Sequence, residues 1–254
     1  MTIPNNPIVN AGLLYVNGLQ IGNTGANLPL LSLLPGAARD STNVNDIALS
    51  SPVTLSLLKI GATGLDTGTV LANTFYAVHV IGDSTDHSPT TGLFSLASFT
   101  PLLPFGYDMF RRVGWILTDS SSNIVSFYQG GVDQNRIYYY LAPINVLTNG
   151  TATTFTNVNM ATAVPSIQED FAVVTNQVFI NITYTPSIVS NYAQFNPINS
   201  ALFPVGTVQF GAGITTTQFG TITVPSRFRS VAYKVFAGDT VTLNVTGYTD
   251  YLGL

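Results

Sequence analysis

The sequence predicts an all-β protein made of antiparallel β-sandwiches of the jelly-roll kind, and three observations support this prediction. Residues that favour exposed helices are scarce, since the 254-residue chain contains one Glu and two Lys. Residues that favour strands (Val, Ile, Thr, Tyr and Phe) are abundant. Short runs of these residues alternate with turn formers, a spacing typical of all-β folds.

The first predicted element is a β-hairpin near the start of the chain. Leu13–Val16 and Leu19–Ile21 flank the dipeptide Asn17-Gly18. Asn and Gly tolerate a positive φ at both central positions of a turn, so this dipeptide favours a two-residue type I′ turn. We therefore expect these two segments to pair with each other.

Ten further strands are expected along the chain. The clearest is the alternating segment within 240–248, for which we expect one buried and one polar face. The predicted strands are Val53–Leu58, Thr74–Ile81, Arg112–Thr118, Ile124–Tyr128, Thr153–Val158, Val173–Thr185, Thr207–Phe210, Gly220–Val224, Ser230–Phe236 and Thr240–Tyr248.

The division of the chain follows from turn signals and composition. The turn dipeptide Asn149-Gly150 precedes a segment that is richer in Thr and Asn. We expect an N-terminal arm and hairpin at 1–50, a first sandwich at 51–147 and a second at 148–254. The N-terminus has neither the basic nor the apolar region of a secretion signal, and no apolar run is long enough to span a membrane.

The low charge of the chain excludes several functional classes. Lys and Arg total 8 and Asp and Glu total 12, whereas an average composition would give more than about 60 charged residues in a chain of this length. A net charge of −4 argues against nucleic-acid binding, and the absence of cysteine excludes a disulfide scaffold. Disorder is excluded because the chain is 46% hydrophobic.

One segment invites an enzymatic interpretation. Gly82-Asp83-Ser84 follows an apolar strand and precedes His87, as the nucleophile turn of SGNH-type hydrolases follows their first strand. No later histidine exists to complete a triad, and all of these residues except His87 are common turn formers. We therefore expect a loop here, no catalytic residue and no cofactor.

A second segment is rich in oxygen ligands. Asp40, Asn43, Asn45 and Asp46 could hold Ca²⁺, but their spacing lacks the order of an EF-hand loop and its closing Glu. An Asx-rich turn that leads into a strand explains the same residues. We expect no metal site, and the cation alternative stays open at this stage.

Basic and aromatic residues supply the candidate contact residues. Arg111 and Arg112 form the only pair of adjacent basic residues. A carboxylate partner at an interface or strand start is expected for them, and an exposed phosphate or glycan contact is the alternative. Tyr138 and Tyr140 would share one face of a strand, where a core or subunit interface is expected and a sugar-stacking platform is the alternative. We expect the single Trp115 to lie in the core.

Residues 35–131 carry a series of short motifs in a fixed order. This series resembles a family of tailed-bacteriophage virion proteins, which are described as structural or tail-fibre proteins, with a weaker echo at Thr154–Val158 and Val164-Pro165. Related chains often have Cys near the position of Ala38, and this chain has none. The motifs are Pro35–Ile47, Gly64–Gly68, Ala72–Tyr76, Val80–Ser84, Leu103–Tyr107, Arg111–Trp115, Asp119–Asn123 and Phe127–Gln129.

The resemblance implies a non-enzymatic part of a virion, made in the host cytoplasm. Of two interpretations, the favoured one is a capsid decoration or cement protein, a homotrimer that braces the major capsid protein. An arm at 1–10, with Pro4 and Pro7, would then add to a neighbour's sheet. The other is a tail-fibre or receptor-binding protein that contacts host glycans. Low charge favours broad protein contacts because it lowers the cost of desolvation. We expect neither a nucleic-acid nor a membrane partner.

Overall fold

The computed structural model describes residues 15–23, 28–85, 89–166, 177–197, 208–211, 216–225 and 229–252. These residues form strands joined by turns, and no helix occurs among them. They accordingly include no helix able to cross a membrane. The strands are β1 (Val16–Gly18), β2 (Ile21–Asn23), β3 (Leu30–Leu33), β4 (Gly36–Arg39), β5 (Asp46–Leu49), β6 (Val53–Ser56), β7 (Phe75–Gly82), β8 (Thr91–Ser95), β9 (Met109–Leu117), β10 (Phe127–Val132), β11 (Asn135–Gly150), β12 (Thr156–Asn159), β13 (Gln177–Thr185), β14 (Ala193–Pro197), β15 (Val208–Phe210), β16 (Gln218–Pro225), β17 (Ser230–Lys234) and β18 (Thr240–Tyr251).

The strands assemble into five sheets, which confirms the predicted all-β antiparallel class. Three sheets have three strands each, in the orders β1-β4-β5, β2-β3-β6 and β8-β7-β9. A four-stranded sheet has the order β12-β17-β14-β15, and a five-stranded sheet has the order β10-β11-β18-β13-β16. The pairings of β7 with β8 and β9, and of β13 with β16 and β18, are antiparallel.

The chain divides into two compact units. The first contains residues 1–125, 129–136 and 251–254, and the second contains 126–128 and 137–250. The sequence-based division at 50 and 147 rests on turn signals and stays a prediction.

In the first unit, the β8-β7-β9 sheet forms the centre of the core. Every residue of β8 is buried, as is every residue of β7 after Phe75, so this sheet is covered on both faces. Trp115 in β9 is also buried, as predicted. A sheet covered on both faces needs continuous apolar runs, which explains the sequence pattern of β7.

In the second unit, strands alternate between a buried and an exposed face. In β13, Val178, Ile180, Ile182 and Tyr184 are buried, and the residues between them are exposed or half-buried. The same alternation runs along β18 from Thr240 to Thr246, which confirms the prediction made for this segment. The buried side chains therefore leave a continuous outer face on this sheet.

Most of the predicted strands coincide with observed ones, and their described ends agree or differ by up to three residues. The exception is 124–128, because Ile124 makes only an isolated bridge with Thr118 and β10 begins at Phe127. The first residues of the segment predicted at 173–185, and Thr207, lie outside the described residues.

The predicted Asn17-Gly18 hairpin is wrong. Asn17 pairs with Ala37 and Gly18 with Gly36, and Ile21 then pairs with Leu33 in the same register. Segment 16–23 is thus one bent strand path alongside 31–38, and the positive φ angles fall on Gly18 and Leu19, at the bend. The local turn signal was overridden because β3 and β4 offer a longer ladder than a three-residue hairpin.

This bend makes Gly36 sensitive to substitution. A Cβ at residue 36 would lie 2.3 Å from the Asn17 carbonyl oxygen and 2.4 Å from the Leu19 amide nitrogen. Because both are backbone atoms, we expect Gly36→Ala to lower the free energy of unfolding by about 1–3 kcal/mol in urea titrations. Gly22→Ala is the control, since its Cβ would meet no atom within 4 Å. Equal stability of the two variants would contradict the close approach.

Candidate functional site

The outer face of the five-stranded sheet in the second unit presents uncharged polar and apolar side chains. It contains no charged side chain. We call it the Asn/Thr face and define it by the outward residues of β11, β18, β13 and β16: Tyr139, Leu141, Asn145, Thr240, Thr242, Asn244, Thr246, Phe179, Asn181, Thr183, Thr185, Phe219, Thr221 and Thr223.

A row of amide and hydroxyl side chains crosses this face and is hydrogen-bonded in two pairs. Asn181 lies opposite Thr221 on one side and Asn244 on the other. The Thr221 hydroxyl donates to Asn181 Oδ1 at 3.0 Å, and Asn145 Nδ2 donates to Asn244 Oδ1 at 3.0 Å. These bonds hold four side chains in place, so these four lose little rotamer entropy on contact with a partner.

Apolar side chains lie on the same face. The ring of Tyr139 stacks on that of Phe179, with centroids 5.6 Å apart. Leu141 and Phe219 are 72% and 77% exposed. Exposed aromatic rings and a lack of charge are the compositional features that protein interfaces share at their centres.

Tyr138 and Tyr140 point to the opposite side and are buried. Tyr138 stacks on Tyr248 at 4.7 Å, and the Tyr140 hydroxyl donates to the Ala163 carbonyl at 2.8 Å. Burial, and then the nearby Tyr138, raise the pKa of Tyr140. This is the core placement that the sequence favoured, and it excludes a sugar platform on these two rings; contact with a second chain stays a prediction. The neighbouring Tyr139 was missed, although strand alternation assigns it to the outer face.

Arg111 and Arg112 lie in β9 and are only 5% and 8% exposed. The Arg111 guanidinium donates to the Leu252 carbonyl, and that of Arg112 lies 5.3 Å from the centre of the Trp115 ring. Burial, and then the charge of Arg112, lower the pKa of Arg111. Both arginines line a cleft of about 400 Å³ in the first unit. Their burial contradicts the exposed-contact alternative, and contact with a partner chain stays a prediction.

Asp40 organises the oxygen-rich turn. Its carboxylate accepts hydrogen bonds from the Thr42 hydroxyl, the Val44 amide and the Asn45 side chain at 2.9–3.2 Å. Burial alone would raise the pKa of Asp40, but these hydrogen bonds outweigh it and lower the pKa. Asp46 pairs with Arg39 at 3.2 Å. The arrangement is that of the Asx-rich turn, because the carboxylate oxygens are occupied by the turn itself.

The Gly82-Asp83-Ser84 segment also forms a turn. The Ser84 hydroxyl and amide both donate to the Asp108 carboxylate, and Thr85 donates to Asp83. His87, Pro4, Pro7 and the rest of the arm at 1–10 lie outside the described residues. Within the described ranges, no group of three or more His, Asp or Glu side chains is placed to hold a metal ion.

Comparisons with known proteins give only remote similarity. No family model matches the chain, and no curated protein matches it. Two solved structures of infectious bursal disease virus, strains Gx and Gt, align over 93% and 98% of the chain at 11% and 12% identity, with TM-scores of 0.21 and 0.20. The chain covers 66% and 72% of those longer chains. A Bacillus thuringiensis Cry1Da tryptic core variant aligns at 10% identity, with a TM-score of 0.15 over half its length. Scores this low carry no argument about function.

Proposed function

We propose that the chain is a non-enzymatic structural protein of a bacteriophage virion, which decorates the exterior of the head as a homotrimer and braces neighbouring major capsid subunits. The observation that carries this proposal is the Asn/Thr face, an uncharged and laterally hydrogen-bonded surface with exposed aromatic rings. Closed symmetric assembly is the usual way for such a subunit to bury a broad face.

The size of the face suits a contact between proteins. Four strands about 4.8 Å apart, each about nine residues long at 3.4 Å per residue, cover roughly 600 Å². A stable interface buries about 800 Å² on each partner, so this face supplies most of one. Burial of uncharged groups also avoids the desolvation penalty that ion pairs would carry.

Two features of the sequence support the proposal that the chain is part of a virion. The ordered motifs within residues 35–131 resemble those of tailed-bacteriophage virion proteins. The absence of cysteine makes the fold independent of redox conditions, which suits a protein made in the host cytoplasm and then exposed outside the cell.

Immunogold electron microscopy of intact virions, with an antibody against this chain, tests the location. We expect label distributed over the head. Label confined to the tail tip would overturn head decoration in favour of a receptor-binding protein, and unlabelled particles would overturn both.

A charge placed within the Asn/Thr face tests the surface. Thr221→Arg puts a guanidinium beside Asn181, where burial against a partner would be costly. We expect at least a tenfold loss of incorporation when the variant is supplied to particles that lack the native chain. Thr69→Arg is the control, since Thr69 is exposed in the first unit. Normal incorporation of Thr221→Arg would show that the Asn/Thr face is not the attachment surface.

A further inference from the structure

The four-stranded sheet of the second unit carries a cleft that differs chemically from the Asn/Thr face. The cleft has a volume of about 390 Å³. Gln194 in β14 and Lys234 in β17 are register partners, and both line it. Tyr192 and Phe236, each two residues away, line it as well, which places all four side chains on one side of the β14–β17 pair.

Two aromatic rings form one wall. The rings of Tyr192 and Phe236 meet edge to face at 82°, with centroids 5.1 Å apart. Phe236 is 43% exposed, so part of the ring is open to solvent. An exposed ring held by an edge-on neighbour offers a rigid flat surface to the apolar side of a sugar ring.

A cation stands beside this wall. The Lys234 ammonium lies 4.9 Å from the centre of the Phe155 ring, which is 43% exposed. Among the described residues, the ion pair within 4 Å is that of Arg39 with Asp46 in the first unit. Lys234 therefore has no described carboxylate partner. The ammonium therefore keeps its capacity to bind an anionic group.

Two amides continue from the cation, Gln194 in the lining of the cleft and Gln209 beside it on the next strand. The Gln194 side chain makes no hydrogen bond to the described residues, and it lies opposite Gln209, which is exposed in β15. Lys234, Gln194 and Gln209 thus form a row across three neighbouring strands. An amide both donates and accepts, so two of them in a row can pair with the vicinal hydroxyls of a sugar.

We propose that this cleft binds a saccharide unit that carries a carboxylate. The sugar ring packs on Phe236, the carboxylate binds the Lys234 ammonium, and the hydroxyls bind the amides of Gln194 and Gln209. The volume is at the lower end of the range for small-molecule sites and suits one or two sugar units. This site is independent of the Asn/Thr face and of a head or tail location, so its failure leaves the proposed function standing.

Saturation-transfer NMR and calorimetry with two matched probe pairs test this inference. The pairs are sialyllactose with lactose, and digalacturonic acid with its methyl ester. We expect at least one acidic probe to bind about tenfold or more tightly than its neutral partner, because a charged hydrogen bond is lost in the latter. Failure of both acidic probes to bind, or equal binding of acidic and neutral probes, overturns the proposal.

Variants locate the binding. Lys234→Gln should lower the affinity for the acidic probe to the affinity for its neutral partner. Phe236→Leu should lower the affinities for the acidic and the neutral probe by a similar factor. Lys59→Gln is the matched control, since Lys59 is the other lysine of the chain and lies exposed in the first unit. Urea unfolding confirms that each variant is folded. Acidic preference that survives Lys234→Gln overturns the assignment, and so does its loss in Lys59→Gln.

Discussion

Replacement of Asp239 by alanine is expected to lower the free energy of unfolding by about 3–5 kcal/mol. Asp239 is fully buried, at the end of the turn that follows β17. Its carboxylate accepts hydrogen bonds from the Tyr184 hydroxyl at 2.6 Å, from the amide and hydroxyl of Ser187 at 2.6 and 2.7 Å, and from Asn191 Nδ2 at 3.0 Å. Alanine would leave four donors without their acceptor and a cavity beside Tyr184.

The same network should make the stability of the protein depend on pH in acid. Burial alone would raise the pKa of Asp239, but the hydrogen bonds from Ser187, Tyr184 and Asn191 outweigh it and lower the pKa. Because the folded-state pKa is depressed, this contribution is present above pH 4 and is lost as the pH falls through the folded-state pKa. Asp239→Asn retains the shape but cannot titrate, so its stability should vary less with pH below 4.

Urea titrations at neutral and acidic pH measure both effects. Thr69→Ala is the control, since Thr69 is exposed and we expect a change within about 0.5 kcal/mol. A loss below about 1 kcal/mol for Asp239→Ala would show that the four donors find water or other partners.

The Asp239 network shows what the sequence could predict and what it could not. The turn at 236–239 is signalled by Gly238, which has a φ of +90°. The partners Tyr184, Ser187 and Asn191 lie about fifty residues earlier, and nothing in the sequence pairs them with Asp239. Strand periodicity predicts local faces, whereas such networks depend on which strands become neighbours.

The Asn/Thr face likewise combines a feature that the sequence predicts with one that depends on the strand order. Alternation within 240–246 predicts a polar side for β18 alone. That Asn244 lies beside Asn181, and Asn181 beside Thr221, follows from the strand order β18-β13-β16. Conversely, the Asn17-Gly18 turn signal was strong but local, and the longer pairing of 16–23 with 31–38 prevailed over it. The candidate surface could therefore be identified only from the strand order, whereas the fold class could be predicted from the sequence.

Between pH 8 and pH 5 the chain is expected to lose about 2 kcal/mol of stability because of His79. His79 is fully buried in β7, and burial, together with the charge of Arg112, lowers its pKa to about 3 despite the hydrogen bond to Ser98. Since the Ser98 carbonyl can only accept, Nε2 carries the proton and donates at 3.2 Å. Nδ1 is buried without a partner among the described residues, so a second proton would have no acceptor there.

Stability falls with falling pH because the pKa of His79 is lower in the folded chain than in the unfolded chain. An unfolded chain protonates His79 near pH 6.5, whereas the folded chain resists protonation down to about pH 3, so acid favours unfolding throughout this window. Carboxylates titrate mainly below pH 5, which isolates the histidines between pH 8 and 5. His79→Gln keeps a donor for Ser98 and should flatten the pH dependence in urea titrations, even if its stability at pH 8 is lower. His87→Gln, which removes the other histidine, is the control. If stability still varies with pH in His79→Gln but not in His87→Gln, the effect belongs to His87. If the stability of the native chain does not vary between pH 8 and pH 5, His79 gains its proton without cost, contrary to its burial beside Arg112.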